Sequence, residues 1–115
     1  MSSEMTLNLE HQKEQSLKAI KLREACKRLL TNKDFKDLIL TEFCLNECAR
    51  YTHTSIDFNL PTEVREDALA FAQSSGYLKK YLQLVVQIGD HAESQLGSIN
   101  EAIAEAEQED DVEVQ

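Results

Sequence analysis

Two cysteines and a histidine near the middle of the chain come closest to a chemical site. Cys44, Cys48 and His53 form a Cys-x3-Cys-x4-His array, and thiolates one helical turn apart can both bind a zinc ion. The array has no clear fourth ligand, because the other histidines, His11 and His91, are distant in the sequence. We therefore favour the interpretation that the cysteines are small apolar residues of the core, and we predict no metal and no cofactor.

Catalytic arrangements are not recognisable in the sequence. Nucleophilic catalysis by cysteine needs a base, an orienting group and a pocket, and the three cysteines lie in segments with helical patterns. Adjacent carboxylates such as Glu66 and Asp67 fall on faces that periodicity predicts to be exposed. Gly76, Gly89 and Gly97 are isolated, so they form no glycine-rich loop for a phosphate. The sequence predicts that the protein is not an enzyme.

Composition indicates the fold class and the environment. The chain has 115 residues with three glycines, one proline and no tryptophan, which favours a single all-α domain. Its longest apolar run, Leu82 to Ile88, is interrupted by Gln83 and Gln87, so no membrane span is expected. The first residues lack the pattern of a signal peptide, and an odd number of cysteines is typical of a reducing compartment. These features predict a soluble, intracellular protein.

A helix-packing pattern dominates the second half of the chain. Apolar and small residues recur there in alternating steps of four and three, the spacing of a helix that packs along another helix. We call this set the seam: Leu78, Leu82, Val85, Gly89, Ala92, Leu96, Ile99, Ile103 and Ala106. Its helix would span roughly 45 Å, longer than the rest of so short a chain can cover. We therefore predict that the seam is an interface, either with another helix of this chain or with a second copy.

The first half of the chain predicts two helices. The first runs from about Thr6 to Leu30, and its regular apolar stripe is Ala19, Leu22, Cys26 and Leu29. Residues 1–16 are weakly patterned, so fraying is expected there. Residues 31–34, Thr-Asn-Lys-Asp, end this helix and cap the next.

The second predicted helix begins at Phe35. Its apolar residues cover more than half of the circumference, which predicts the most buried helix of the fold. Residues 51–60 are predicted to be a loop, because β-branched and turn-forming residues precede Pro61.

Two further helices complete the predicted fold. A short third helix begins at Thr62 and ends at residues 74–76, Ser-Ser-Gly, where Gly76 would adopt the left-handed conformation. The fourth runs from Tyr77 to about Glu107. The sequence thus predicts an all-α fold of four helices, in which the two long ones, first and last, form an antiparallel coiled-coil-like pair around the two shorter ones. Residues 1–107 would form one helical domain, and residues 108–115 an acidic disordered tail.

Two glycines inside the predicted fourth helix need an explanation, because each costs about 1 kcal/mol relative to alanine. Gly89 and Ala92 occupy consecutive seam positions, where the backbone of another helix could approach closely. A local kink is the alternative explanation for Gly89 and Gly97. The sequence leaves both explanations open.

The net charge of −9 is unevenly distributed. Residues 1–36 hold eight basic and five acidic residues, whereas residues 101–115 hold seven acidic residues and no basic one. A solvated basic face and a frayed acidic tail are the favoured interpretation, and docking of the tail on the first helix is the alternative. The basic residues of the first helix are interleaved with Glu14 and Glu24 and lack aromatic neighbours, so nucleic acid is not expected as a partner.

Two stretches resemble small acidic helical accessory proteins of tailed bacteriophages. One is the run from Leu29 to Leu40, followed by Glu47 and Arg50, and the other is Gly76-Tyr77-Leu78 leading into a long amphipathic helix with an acidic end. The resemblance covers roughly residues 20–107 and rests on packing and capping motifs. It implies a protein encoded near head and packaging genes and present in the host cytoplasm or the virion, and it assigns no functional residue.

Together these patterns predict a non-enzymatic interaction protein. It would self-associate into a homo-oligomer through the seam and the first helix, and would serve virion assembly or packaging with a phage structural protein or a host protein as partner. One alternative is an acidic inhibitor of a host nucleic-acid enzyme or defence protein. A second alternative is a packaging factor that binds DNA through the first helix.

Overall fold

The computed structural model describes residues 2–114, and the side chains of residues 3–109. The described residues are helical apart from Asn32 and residues 56–61, and they include no strand. Helix α1 is Ser2–Thr31, and helix α3 is Thr62–Val114. Between them, helix α2 covers residues 33–55 as an α-helical turn, Lys33–Phe35, a π-helical segment, Lys36–Glu47, and an α-helical segment, Cys48–Ser55. The all-α prediction is confirmed, but the prediction of four helices is wrong, because the structure has three.

The predicted helix end at residues 74–76 is wrong. No glycine in the described chain has a positive φ, so Gly76 does not form the left-handed stop that the Ser-Ser-Gly pattern indicated. The hydroxyl groups of Ser74 and Ser75 instead donate to the carbonyls of Ala70 and Ala72 within the same helix, both at 2.8 Å. The third and fourth predicted helices are therefore one helix, α3.

The boundaries at the start of α2 agree with the sequence, and those at its end do not. Asn32 is extended, and its side-chain oxygen accepts from the Phe35 amide at 2.9 Å, as the predicted cap requires. Residues 51–55, predicted to be a loop, are helical. Thr52 and Thr54 are accommodated because their hydroxyls donate to the carbonyls of Cys48 and Arg50, one turn earlier.

The sequence predicted that α2 would be the most buried helix, and this prediction is wrong. Most of α2 is a π-helical segment. Its only buried residue is Cys44, and Leu38 and Leu45 remain mostly exposed. Residues seven apart share a face of an α-helix, but each turn of a π-helix takes up more residues, because its hydrogen bonds join i to i+5. A pattern interpreted at α-helical spacing therefore does not predict which faces of this segment are buried.

The chain divides into two compact units. Unit 1 is Met1–Ala25 with Val85–Gln115, and unit 2 is Cys26–Leu84. In unit 2, residues later in α2 contact residues earlier in α3. Cys44 lies against Ser75, Cys48 against Ala72, and Ser55 against Arg65. Helix α2 is thus antiparallel to α3, and in unit 1 it is α1 that packs on α3.

Both ends of the predicted domain lie in described helices. Helix α1 begins at Ser2 and α3 continues through Val114, whereas Met1 and Gln115 lie outside the described residues. No helix end is seen at residue 107. Fraying of residues 1–16 and a disordered tail from residue 108 stay predictions.

Candidate interaction surfaces

The seam is covered within a single chain. Every one of its nine residues is buried or half-buried, with Leu82, Gly89, Ala92, Ile103 and Ala106 in the buried class. The spacing therefore identified a packing face correctly. An interface between copies at these residues, from Leu78 to Ile103, stays a prediction and would require the copies to exchange helices.

Arg23 is the unexpected centre of the α1 face in unit 1. The predicted apolar stripe of α1 is only partly correct, because Leu22 and Leu29 are exposed while Arg23 and Cys26 are buried. Arg23 is 5% exposed, although arginine is rarely buried without partners. Its guanidinium lies 2.9 Å from the carboxylate of Asp90 and 2.5 Å from that of Glu93, both on α3.

Gly89 provides the space that Arg23 occupies. A Cβ atom built at Gly89 would clash with the Cβ, Cγ and Cδ atoms of Arg23. The close-approach explanation for this glycine is therefore correct. A Cβ at Gly97 would meet no atom within 4 Å, so packing does not explain that glycine.

The ion pairs around Arg23 fix its charge. The hydrogen bond to Glu93 raises the pKa of Arg23 above its usual value, and hydrogen bonds to Glu24 and Asp90 act in the same direction, against desolvation. The guanidinium stays charged at any pH at which the protein could be studied. Arg23 therefore acts as a fixed positive anchor between α1 and α3, and it is removed from the basic face that the sequence offered to nucleic acid.

In unit 2 the three cysteines contact α3 through their sulfur atoms. The thiols of Cys26 and Cys48 donate to the carbonyls of Leu82 and Ala72, each at 3.6 Å, and that of Cys44 to Ser75 at 3.9 Å. These are weak hydrogen bonds, and they show that the helices pack closely. The prediction that cysteines fill the core is confirmed for Cys26 and Cys44, whereas Cys48 is half-buried.

Burial also determines the chemistry of the cysteine array. Desolvation raises the pKa of the Cys44 thiol, which disfavours the thiolate that metal binding or nucleophilic attack needs. Among the described residues, no three or more histidine, cysteine or acidic side chains come together to hold a metal ion. Cys44 and Cys48 thus pack against α3, and the structure does not assemble them with His53 as a metal site.

Aromatic and charged side chains of unit 2 form a second group near the start of α3. The rings of Tyr51 and Phe71 stack with their centroids 5.0 Å apart. The guanidinium of Arg50 lies 4.4 Å from the centre of the Tyr51 ring. Arg50 also donates to Glu47 at 2.5 Å, and this hydrogen bond lowers the pKa of the Glu47 carboxyl. These contacts join α2 to α3 at the surface.

Exposed apolar side chains are concentrated in unit 2. Of the sixteen large ones that the described chain exposes, eleven belong to this unit. They are Leu29, Leu38, Leu45, Ile56, Phe58, Val64, Leu69, Phe71, Tyr77, Tyr81 and Leu84. Unit 2 therefore carries most of the exposed large apolar side chains of the described chain.

Charge shows the opposite distribution. Unit 1 contains four basic and thirteen acidic residues, and unit 2 contains eight of each. The whole net charge of −9 therefore belongs to unit 1, and unit 2 is neutral. Two copies would repel each other through unit 1 but not through unit 2.

Sequence reasoning missed one exposed face of α3. Ala70, Ser74, Tyr77, Tyr81 and Leu84 follow the same steps of four and three as the seam, shifted from it. We call this set the outer stripe. All five residues are exposed, with Tyr77 at 71%, Tyr81 at 60% and Leu84 at 42%. A search for a second 4-3 register in the same helix would have found it.

The fold and these surfaces define an all-α protein whose unit 2 exposes eleven large apolar side chains. Comparison of the chain with family models, curated proteins and solved structures finds no match. No described helix has the length and apolar character that crossing a membrane requires.

Proposed function

We propose that this protein acts through protein–protein contacts rather than catalysis, and that it self-associates through unit 2. The observation that carries this proposal is the separation of charge from apolar surface. Unit 2 exposes eleven large apolar side chains and has no net charge, whereas unit 1 holds the whole net charge of −9. A neutral apolar surface favours association, and an acidic region on the same chain limits uncontrolled aggregation.

This proposal moves the contact away from the seam. The seam residues are already buried within one chain, so self-association through them would first require helices to separate. The exposed side chains of unit 2 need no such rearrangement. The resemblance to phage accessory proteins supplies the proposed setting, virion assembly or packaging, which rests on that resemblance alone.

Sedimentation equilibrium of the full chain over a wide concentration range tests the proposal. We expect a defined oligomer that dissociates on dilution and persists in high salt, because its contacts are mainly apolar. A monomer at every concentration would contradict self-association. An oligomer that salt dissociates would contradict an apolar contact.

A second candidate is an acidic inhibitor of a nucleic-acid-binding protein, favoured by the thirteen acidic residues of unit 1. Carboxylates along unit 1 would occupy a surface that normally binds phosphates. Capture from a bacterial lysate should then recover one dominant nucleic-acid-binding protein and lose it in high salt. If removal of residues 108–115 left the capture unchanged, the acidic tail would have no part in it.

A further inference from the structure

We propose that a second copy of this chain packs on the outer stripe of α3, with the two α3 helices antiparallel and Ser74 of each copy near a two-fold axis. This inference rests on the proposed self-association and names its surface and geometry. All the residues it uses belong to unit 2.

The first argument is the spacing. The outer stripe, Ala70, Ser74, Tyr77, Tyr81 and Leu84, keeps alternating steps of four and three over four intervals. This is the pattern that packs along another helix, and the seam shows that α3 uses it in that way. Helix α2 contacts Ala72 and Ser75, and α1 contacts Leu82. All five residues of the outer stripe are exposed, so a helix that packs on them would come from another molecule.

The second argument is the order of side-chain sizes along the stripe. Small residues, Ala70 and Ser74, precede large ones, Tyr77, Tyr81 and Leu84. In an antiparallel pair centred on Ser74, Tyr77 of each copy faces the small residues Ala70 and Ser74 of the other, so large and small side chains interdigitate there. Tyr81 and Leu84 lie farther out, opposite the stretch of the partner helix that contains Asp67 and Val64. A parallel pair would place tyrosine against tyrosine and alanine against alanine, and would leave a gap between the small residues.

The third argument is charge complementarity. The same 4-3 register continues backwards to Asp67 and Glu63, and Lys80 flanks the large half of the stripe. In the described part of the chain, neither Asp67 nor Lys80 makes an ion pair. Antiparallel pairing about Ser74 brings Asp67 of each copy next to Lys80 of the other. Parallel pairing would place like charges opposite each other, which is unfavourable.

The area is sufficient for a reversible dimer. An aromatic side chain buries about 150–250 Å² when fully covered, and the two tyrosines are more than half exposed. With Leu84, the small residues and the flanking charges from both copies, the total comes to about 1,000 Å², the lower limit for a specific interface. We therefore expect a dimer that dissociates on dilution.

Sedimentation equilibrium of three sets of full-length variants tests this geometry. Tyr81→Glu should weaken the dimer at least about 30-fold, because the two-fold axis introduces the change twice. Leu69→Glu is the matched control, since Leu69 is also exposed on α3 but lies outside the stripe. It should leave the dissociation constant unchanged.

Substitutions at Asp67 and Lys80 distinguish an antiparallel from a parallel dimer. Both residues are exposed, so these variants change no buried residue of the fold. Asp67→Lys and Lys80→Glu should each weaken the dimer about three- to tenfold, and the double variant should restore it to within about threefold. In a parallel dimer the double variant would restore nothing. Circular dichroism of each variant confirms that it is folded.

The outcomes separate this inference from the proposed function. An oligomer that Tyr81→Glu leaves intact would overturn the outer stripe and keep self-association. A dimer lost in Tyr81→Glu but not recovered in the double charge variant would overturn the antiparallel geometry. A wild-type chain that stays monomeric at every concentration would overturn self-association itself.

Discussion

Replacing Gly89 by alanine should destabilise the protein, whereas the same replacement at Gly97 should stabilise it. Both glycines lie in α3 and in unit 1, and alanine is favoured over glycine inside a helix by about 0.5–1 kcal/mol. At Gly97 a Cβ atom meets nothing within 4 Å, so Gly97→Ala should keep that gain in full.

At Gly89 the same gain is opposed by a clash. The added Cβ would overlap the Cβ, Cγ and Cδ atoms of Arg23, and Cβ is too close to the backbone to move away cheaply. Overpacking of this kind typically costs about 1–3 kcal/mol. After the helix-propensity gain, Gly89→Ala should be destabilising by about 1 kcal/mol, so the two alanine variants should differ by about 2 kcal/mol.

Urea denaturation followed by circular dichroism measures this difference directly. A double-mutant cycle then tests its cause. Arg23→Gly should relieve the clash in Gly89→Ala and give a coupling energy of about 0.5–3 kcal/mol. Arg23→Ala should not relieve it, since it keeps the Cβ. If Gly89→Ala stabilised the protein as much as Gly97→Ala does, the close approach of the two helices would be refuted.

Three further predictions follow from burial. Leu82→Ala should lower the free energy of unfolding by about 2–5 kcal/mol. Tyr81→Ala, at the exposed neighbouring position, should lower it by no more than about 0.5 kcal/mol when both are measured in dilute solution, where the chain is monomeric; equal effects in such urea titrations would contradict the assigned faces. Ser75 is 2% exposed, so Ser75→Leu should lower the free energy of unfolding by about 1–3 kcal/mol. Ser74→Leu, at the exposed neighbouring position, should lower it much less. Thermal unfolding measures both changes. Burial raises the pKa of the Cys44 thiol from its usual 9.0, so the fold favours the protonated form. Its stability contribution is complete below pH 9.0 and is lost as the pH rises through the raised pKa; the alkaline decline in stability should be shallower in Cys44→Ala than in the unchanged chain.

Spacing and local capping were readable from the sequence because each depends on neighbouring residues. The seam spacing identified the packing face of α3, and Asn32 identified the start of α2 through its side-chain bond to Phe35. The Ser-Ser-Gly pattern failed for a physical reason. A glycine ends a helix only where the chain turns away, and at Gly76 the packing of Ala72 and Ser75 against α2 keeps α3 helical.

Two other features depend on contacts that a single stretch of sequence does not contain. Arg23 reads as a solvated basic residue within α1, and only Gly89 with Asp90 and Glu93, far along the chain, makes a buried position acceptable. Leu38 and Leu45 lie in a π-helical segment, so α-helical spacing does not predict their faces, and the sequence offers no established signal for π-helical winding. In both cases the local pattern predicted the opposite face.

The two registers of α3 explain how one helix can serve both folding and association. The seam combines small residues, Gly89 and Ala92, with large ones such as Leu82, and α1 of the same chain packs on it through Arg23 and Cys26. The outer stripe repeats that mixture of small and large residues, but no described helix of the chain covers it. Because unit 2 is neutral while unit 1 is strongly acidic, this stripe is the face on which a second copy meets the least repulsion. Spacing marks two faces on α3, and we propose that the exposed one, the outer stripe, is left for a second copy.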